Sequence, residues 1–363
     1  RANPPGWASP RWSWTRAVLR SLPPPPTADI ITVQLPADSI GLARAKNHVL
    51  VATATEVFRV SGAGLTALRL HAEHDEPATH GTIVALAARD DGAFVVSEGG
   101  LLHSWEDRLL WSPLGALFSG QTIFDVAATG AGDSEVVWIA ADDGVHEIST
   151  DTWRRWDIAT EAPISAITPG YGLADGVVVD FELGGVLRPS LGTVRSLRRS
   201  GDVVWFAADQ GLTRSGEAWT QWTLGGTPAN AVNAGLALAG DLVVDVQAGA
   251  QIAQGLNGRD LTQDRFGNVW VLGQAEVHGV MVGNGPTFAD DVAPVLQSRC
   301  AYCHAAGVIA PKHDLTDYQT VVALWDSVLS RVTTGQMPPD DVPGLEDDEL
   351  QALLAWVEGG LQP

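Results

Sequence analysis

The chain has 363 residues, 45% apolar and 18% charged, the balance of a folded protein long enough for two domains. Acidic residues outnumber basic ones 43 to 22, for a net charge of -21. So negative a surface repels phosphate backbones and argues against a nucleic-acid partner. The most apolar stretch, around Ala231 to Leu256, is cut by Asp241 and Asp245, so no transmembrane segment is expected. The chain starts at Arg1 without a charged-then-apolar leader, and a targeting segment is expected to have been removed or left out.

Residues 1–29 stand apart. They carry Arg1, Arg11, Arg16 and Arg20 with no acid before Asp29, together with Trp7, Trp12, Trp14 and the run Pro23 to Pro26. Four consecutive prolines favour an extended polyproline segment, so this stretch reads as an arm. Its cationic, Trp-bearing part, Arg1 to Pro26, has two destinations. Docking on a partner or a membrane surface is the one expected, because Trp and Arg dominate binding energies, and the other is folding back on the chain's own acidic surface.

From 30 to 285 the sequence repeats itself. VVWIAADDGVHEI from Val136 is echoed by VVWFAADQGLTRS from Val203, with weaker copies from His48, Ala93, Gly176, Asp241 and Asn268. Each copy is a short β-rich run, a Gly or acidic turn and a second short run, and several are flanked by further runs. Unit starts fall near 39, 82, 123, 164, 193, 231 and 260, which predicts a β-propeller of about seven blades. The two short spacings, from 164 to 193 and from 231 to 260, predict blades lacking an outer strand. Ile30 to Leu35 is expected to close the ring as the outer strand of the last blade, since an open blade would expose an unpaired edge. These repeats resemble those of the propellers in sensor-type regulators.

Two groups within the repeats have a bland and a sharp reading. His71, His74 and His80 with Glu73, Asp75 and Glu76 could bind a divalent metal, or simply be a solvated loop. Trp138, Trp205 and Trp270 recur in register and are expected to pack between blades. No serine-hydrolase elbow, zinc-protease helix or phosphate-binding glycine loop announces catalysis in this part.

Residues 286–363 change to a helical period. FADDVAPVLQSRC places Phe288, Val292, Val295 and Leu296 on one stripe, Tyr318 to Val332 is a second amphipathic run, and Leu345 to Gly360 a third. The first run ends in CAYCH, Cys300 to His304, which holds both cysteines of the chain. This spacing is the attachment signature of c-type haem. Two thiols add across the porphyrin's vinyl groups, and the adjacent His is thereby held under the iron. The rival readings are a redox-active dithiol and half of a zinc site, the latter with only His313 nearby. For the second axial ligand the helical region offers one methionine, Met337 in TTGQMPP, and His313 competes with it. A His/Met pair suits electron transfer rather than oxygen chemistry.

The segment from Phe288 to Gly360 resembles the small class I cytochrome c domains, through FADDVAPVLQSRCAYCH, the GQMPP loop and the helix LQALLAWVEGG. The resemblance implies one covalent haem c on Cys300 and Cys303, with iron bound by His304 and Met337. It also implies that the first and last helices cross, bringing Phe288 and Val292 against Leu353, Leu354 and Trp356. A backbone carbonyl near Pro311 would hold the proximal imidazole. Asp340, Asp341 and Glu346 to Glu349 form either a docking rim for a basic redox partner or an ordinary helix cap.

The fold expected is therefore multi-domain, an all-β propeller followed by an all-α cytochrome c domain. The function expected is that of an exported, periplasmic or extracellular electron carrier docking on a redox partner protein, in solution or in a membrane-associated complex. Two alternatives stand beside it: an oxidoreductase that passes substrate electrons to its own haem, and a ligand or redox sensor.

Overall fold

The computed structural model describes residues 14–18 and 29–358, apart from short internal stretches of which 72–81, 113–117, 188–191, 306–312 and 340–343 are the longest. Its strands form seven sheets, each of four or five strands. Their first strands begin at Ser39, Ile83, Ile123, Ala166, Val194, Ala229 and Asp260, within two residues of the unit starts read from the repeats. Within each sheet the consecutive strands run antiparallel, joined by tight hairpins, and the two five-stranded sheets each add a parallel strand at the edge. Two of these hairpins turn on Asp175–Gly176 and Ala234–Gly235, all four with positive φ (47°, 74°, 48° and 95°). That is the paired left-handed geometry whose twist matches a two-residue hairpin.

The first strands touch one another in cyclic order, the seventh meeting the first, so the sheets form a ring around a channel. Between each neighbouring pair lies an apolar cluster. The recurrent tryptophans sit in them: Trp138 stacks on Phe181 of the next sheet at 5.7 Å, and Trp205 and Trp270 are 2% and 1% exposed. Apolar residues at period two on both faces of every sheet drive this stacking, because each blade is covered on both sides.

The ring is closed by the N-terminal strand Asp29–Gln34, which pairs antiparallel with Glu276–Met281 at the outer edge of the seventh sheet. Val33 and Leu35 enter the cluster between the seventh and first sheets, and Thr32 Oγ1 lies 3.1 Å from Nδ1 of His278.

Two expectations change. Both short units have an outer strand, Gly185–Leu187 and Ala250–Gln254. Their brevity comes from strands of three to five residues joined by tight turns, not from a missing element. Part of the arm also belongs to the fold: Trp14–Val18 runs parallel to Trp219–Thr223, making a fifth strand of the fifth sheet. An outermost strand offers a row of unpaired backbone groups, and the β-prone WTRAV satisfies them. The expectation that Arg1 to Pro26 reaches outward is thus corrected for these five residues, while 1–13 and 19–28 lie outside the described residues. The proposed metal cluster at His74, Glu73, Asp75, Glu76 and His80 also lies outside them. His71 ends a short strand, Arg69–His71, on the edge of the second sheet.

Two truncations separate these contributions. Deleting residues 1–28 removes one peripheral strand, and a modest fall in melting temperature is expected. Deleting 1–35 also removes Val33 and Leu35, each worth about 1.5–3 kcal/mol of burial, and bares the edge of the seventh sheet. Thermal unfolding of both should show a much larger fall for the second, and equal melting temperatures would contradict ring closure by this strand.

One charged group bridges the channel. Arg198 on the first strand of the fifth sheet reaches Asp260 of the seventh, Nη2 to Oδ2 at 3.2 Å. Near them Asp125 accepts the backbone N–H of Ile167 at 2.8 Å. Burial pushes the Asp125 carboxyl up to about 6, and Asp260 adds to the rise, while Arg198 and the N–H groups of Ile167 and Val126 oppose it. A carboxyl raised in the fold favours folding only while protonated. Its contribution is complete below its ordinary value near 4 and lost as pH rises through 6, at most about 3 kcal/mol. Asp125→Asn keeps an acceptor for Ile167. It should flatten the stability–pH curve between 4 and 7 in denaturant titrations; an unchanged curve would contradict this assignment.

Candidate haem attachment site

The C-terminal residues fold into helices around a core of their own. A wide turn, Phe288–Val292, leads into α1 (Ala293–Arg299), then α2 (Ala301–His304), α3 (Tyr318–Thr333) and α4 (Asp347–Glu358). Thr287 caps the opening turn by accepting from Asp290 N at 3.0 Å, and Asp317 caps α3 through Thr320 N at 2.8 Å. Phe288, Val292, Leu296, Val321, Trp325, Leu353 and Trp356 make the core. Phe288 lies 5.6 Å from Trp356, and Trp325 meets Trp356 edge-on at 5.3 Å. The opening turn and α4 therefore pack as the resemblance implies, except that Leu354 stays outside the buried set.

At the end of α1 the chain makes one further turn that gathers Cys300, Cys303 and His304. The carbonyl of Cys300 accepts from Cys303 N at 3.1 Å and from His304 N at 2.9 Å. Both cysteines are free thiols, half-buried, with Cys300 packed against the apolar core. Tyr302, between them, is 83% exposed. The carbonyl of His304 accepts from Leu315 N at 2.7 Å, so the loop that leaves α2 returns to the same point. Pro311, the expected marker of the carbonyl that holds the imidazole, lies outside the described residues.

Two observations bear on what this turn can hold. Among the described residues, Nδ1 of His304 and Nε1 of Trp325 are buried polar atoms without a hydrogen-bond partner. Trp138 Nε1 and Thr213 Oγ1 in the propeller are likewise without a partner, so the orphan alone does not mark a bound group. A histidine that binds iron does so through Nε2 and leaves Nδ1–H for a carbonyl, the role expected of the segment at Pro311. Secondly, burial pushes the Cys300 thiol up to about 11, with the charges of Glu349 and Cys303 adding to the rise. Reactive dithiols show the opposite shift, so this direction does not favour the redox-dithiol reading. No cluster of three or more His, Cys, Asp or Glu gathers among the described residues. A porphyrin supplies four nitrogens itself, so haem iron asks for only two side chains.

Met337 follows the end of α3. Gly335 takes φ +68°, the left-handed value that ends a helix, and its N–H bonds to Val332 O at 3.1 Å. The Arg331 carbonyl then accepts from Gln336 N at 2.8 Å and Met337 N at 3.1 Å, which fixes where the methionine leaves the helix. Its side chain is half-buried, and the structure gives no contact between it and the CAYCH turn. His313 is exposed. Met281, the other methionine, packs at the cluster between the seventh and first sheets.

The acidic rim is partly accounted for. Asp340 and Asp341 lie outside the described residues. Glu349 instead holds the two ends of the unit together: its carboxylate accepts from Arg299 Nε at 3.0 Å and from Glu346 N at 2.8 Å, capping α4.

No protein-family model and no curated protein matches the chain. Among solved structures, the chain is similar to YCF48 bound to D1 peptide, with 11% identity and a TM-score of 0.50 over 72% of this chain and 99% of that one. The Pan2 WD40 domain of Neurospora crassa gives 13% identity and 0.49, over 69% and 95% of the two chains. The extracellular domain of a hybrid two component system from B. thetaiotaomicron gives 11% and 0.45, over 70% of this chain. The chain spans only 40% of that domain's length. At such identities the likeness to the first of these speaks for a shared β-propeller fold and not for a shared activity. Among the described residues no helix is long and apolar enough to cross a membrane.

Proposed function

We propose that this chain is an exported c-type cytochrome, carrying electrons through one covalent haem c at the end of a β-propeller that docks on a protein partner. The observation that carries the reading is the CAYCH turn: two half-buried free thiols on one helical turn, with His304 next in the same turn. Cys300 and Cys303 would hold the porphyrin by thioether bonds, and His304 and Met337 would bind the iron. When bound, the group supplies one-electron chemistry.

The chain's own part is to hold and shield. Cys300 and Cys303 share one helical turn, so their backbone is already ordered for a double attachment. Phe288, Val292, Leu353 and Trp356 keep water from the interior side. A thioether from Met337 would deny small molecules an open coordination position.

The propeller would serve as the docking part, in the periplasm or outside the cell. Supporting this are the peptide carried by one similar propeller and the extracellular setting of another. The partner would be a redox protein or a membrane-associated complex, not nucleic acid.

A cavity in the propeller channel favours a second reading, an oxidoreductase that passes substrate electrons to its own haem. Anaerobic spectroscopy of the purified oxidised protein separates the two. Ascorbate reduces such a haem whatever its role and serves as the control. A carrier is reduced by a donor protein but stays oxidised with metabolites that do not reduce an isolated cytochrome c domain. Saturable reduction by such a metabolite alone would overturn the carrier reading.

A further inference from the structure

The propeller channel holds a cavity of about 740 Å³ at the ends of the first strands, a volume within the range of small-molecule sites. Its wall is two-sided. Along one arc the second and third sheets present Leu86, Ala87, Ala88, Val126, Ala127 and Ala128. Leu42 and Ala43 of the first sheet and Ile167 of the fourth extend that arc on either side. Along the other arc the fifth, sixth and seventh sheets present Arg198, Arg199, Asn233 and Gln263, with Arg44 of the first sheet beside them. Every charged residue in the lining is an arginine, in a chain whose acids outnumber its bases 43 to 22. Asp260 and Asp125 stand beside Arg198 behind the lining and offset part of this charge, so the excess of the three arginines over the two carboxylates is one positive charge.

The three arginines differ in what they have left to give. Arg199 is tied to the rim, Nε to Gly201 O at 2.9 Å and Nη1 to Pro169 O at 3.1 Å. Arg198 spends one N–H on Asp260 at 3.2 Å, and a guanidinium carries five. Among the described residues it has no second acceptor, its side chain is 34% exposed, and it lines the cavity. Asp260, 15% exposed, holds it in place from below without entering the lining. A fork of donors fixed at a known point is suited to a planar anion, and a carboxylate matches it in two parallel bonds. An inorganic anion would leave the alanine and leucine arc without use, and a cation would be repelled.

We infer that the channel cavity is a binding site for a small organic carboxylate with an apolar body, anchored on the guanidinium of Arg198 and seated against the second and third sheets. The inference does not rest on the haem reading, and either can fail alone.

Calorimetric titration of the full chain with benzoate, benzamide and inorganic phosphate tests it. Benzoate should saturate one site and bind at least roughly tenfold more tightly than benzamide, which has the same ring without the charge, and than phosphate. Arg198→Gln should weaken benzoate by about tenfold or more. Benzoate that fails to saturate, matches benzamide, is equalled by phosphate, or is untouched by Arg198→Gln in a folded variant would overturn the assignment. Should that variant fail to fold, the comparison of benzoate with benzamide on the parent chain decides alone.

Discussion

Replacing Trp356 by alanine is expected to unfold the C-terminal helices while the propeller stays folded. Trp356 is fully buried and touches the rings of Phe288, Tyr318 and Trp325 at 5.6, 6.3 and 5.3 Å. It therefore joins the opening turn, α3 and α4 at one point. Removing a buried tryptophan costs about 3–5 kcal/mol, much of what a unit of this size has in reserve. Circular dichroism should show loss of the helical signal and of its melting step, with the strand signal retained. A single unchanged transition would mean that these helices do not form a core of their own.

The second large effect concerns Met337. If its sulfur is the sixth ligand, Met337→Ala should abolish the weak near-infrared band of a thioether-bound ferric haem. It should also lower the potential by on the order of 0.1 V or more, since axial ligands tune haem over about 0.8 V. Potentiometry with optical detection reads both at once. The same pair of measurements on His313→Ala covers the competitor: a parent-like spectrum from Met337→Ala together with a changed one from His313→Ala would move the ligand to His313.

Much of the propeller was legible because its physics is local and repeated. Each blade places apolar side chains on both faces, and Val136 to Ala141 and Val203 to Ala208 carry nearly the same strand, so the unit starts emerge from the repeats alone. Trp138, Trp205 and Trp270 could be assigned to the spaces between blades because they recur in register. Ring closure by Asp29–Gln34 followed from a last unit one strand short.

What escaped the sequence depends on distant partners. Trp14–Val18 pairs with a strand about two hundred residues away, and nothing local distinguishes an arm from an added edge strand. The short fourth and sixth units hid their outer strands because three-residue strands barely register as a pattern. In the helical part, CAYCH was plain from spacing, whereas the role of Glu349 depended on where Arg299 lies after folding. The channel charges left a signal that went unused: Asp125 in IFDVAAT and Arg198 in VRSLRRS interrupt innermost strands that elsewhere read Ala, Leu and Val.

The central claim is that Cys300 and Cys303 carry haem, and the mass of the intact chain after export and maturation tests it most directly. Acid–acetone treatment strips any haem held only by coordination. The account predicts that the porphyrin remains with the polypeptide, and that the mass equals that of the chain plus one haem. A colourless chain of unmodified mass, from cells competent to mature other c-type cytochromes, would contradict it.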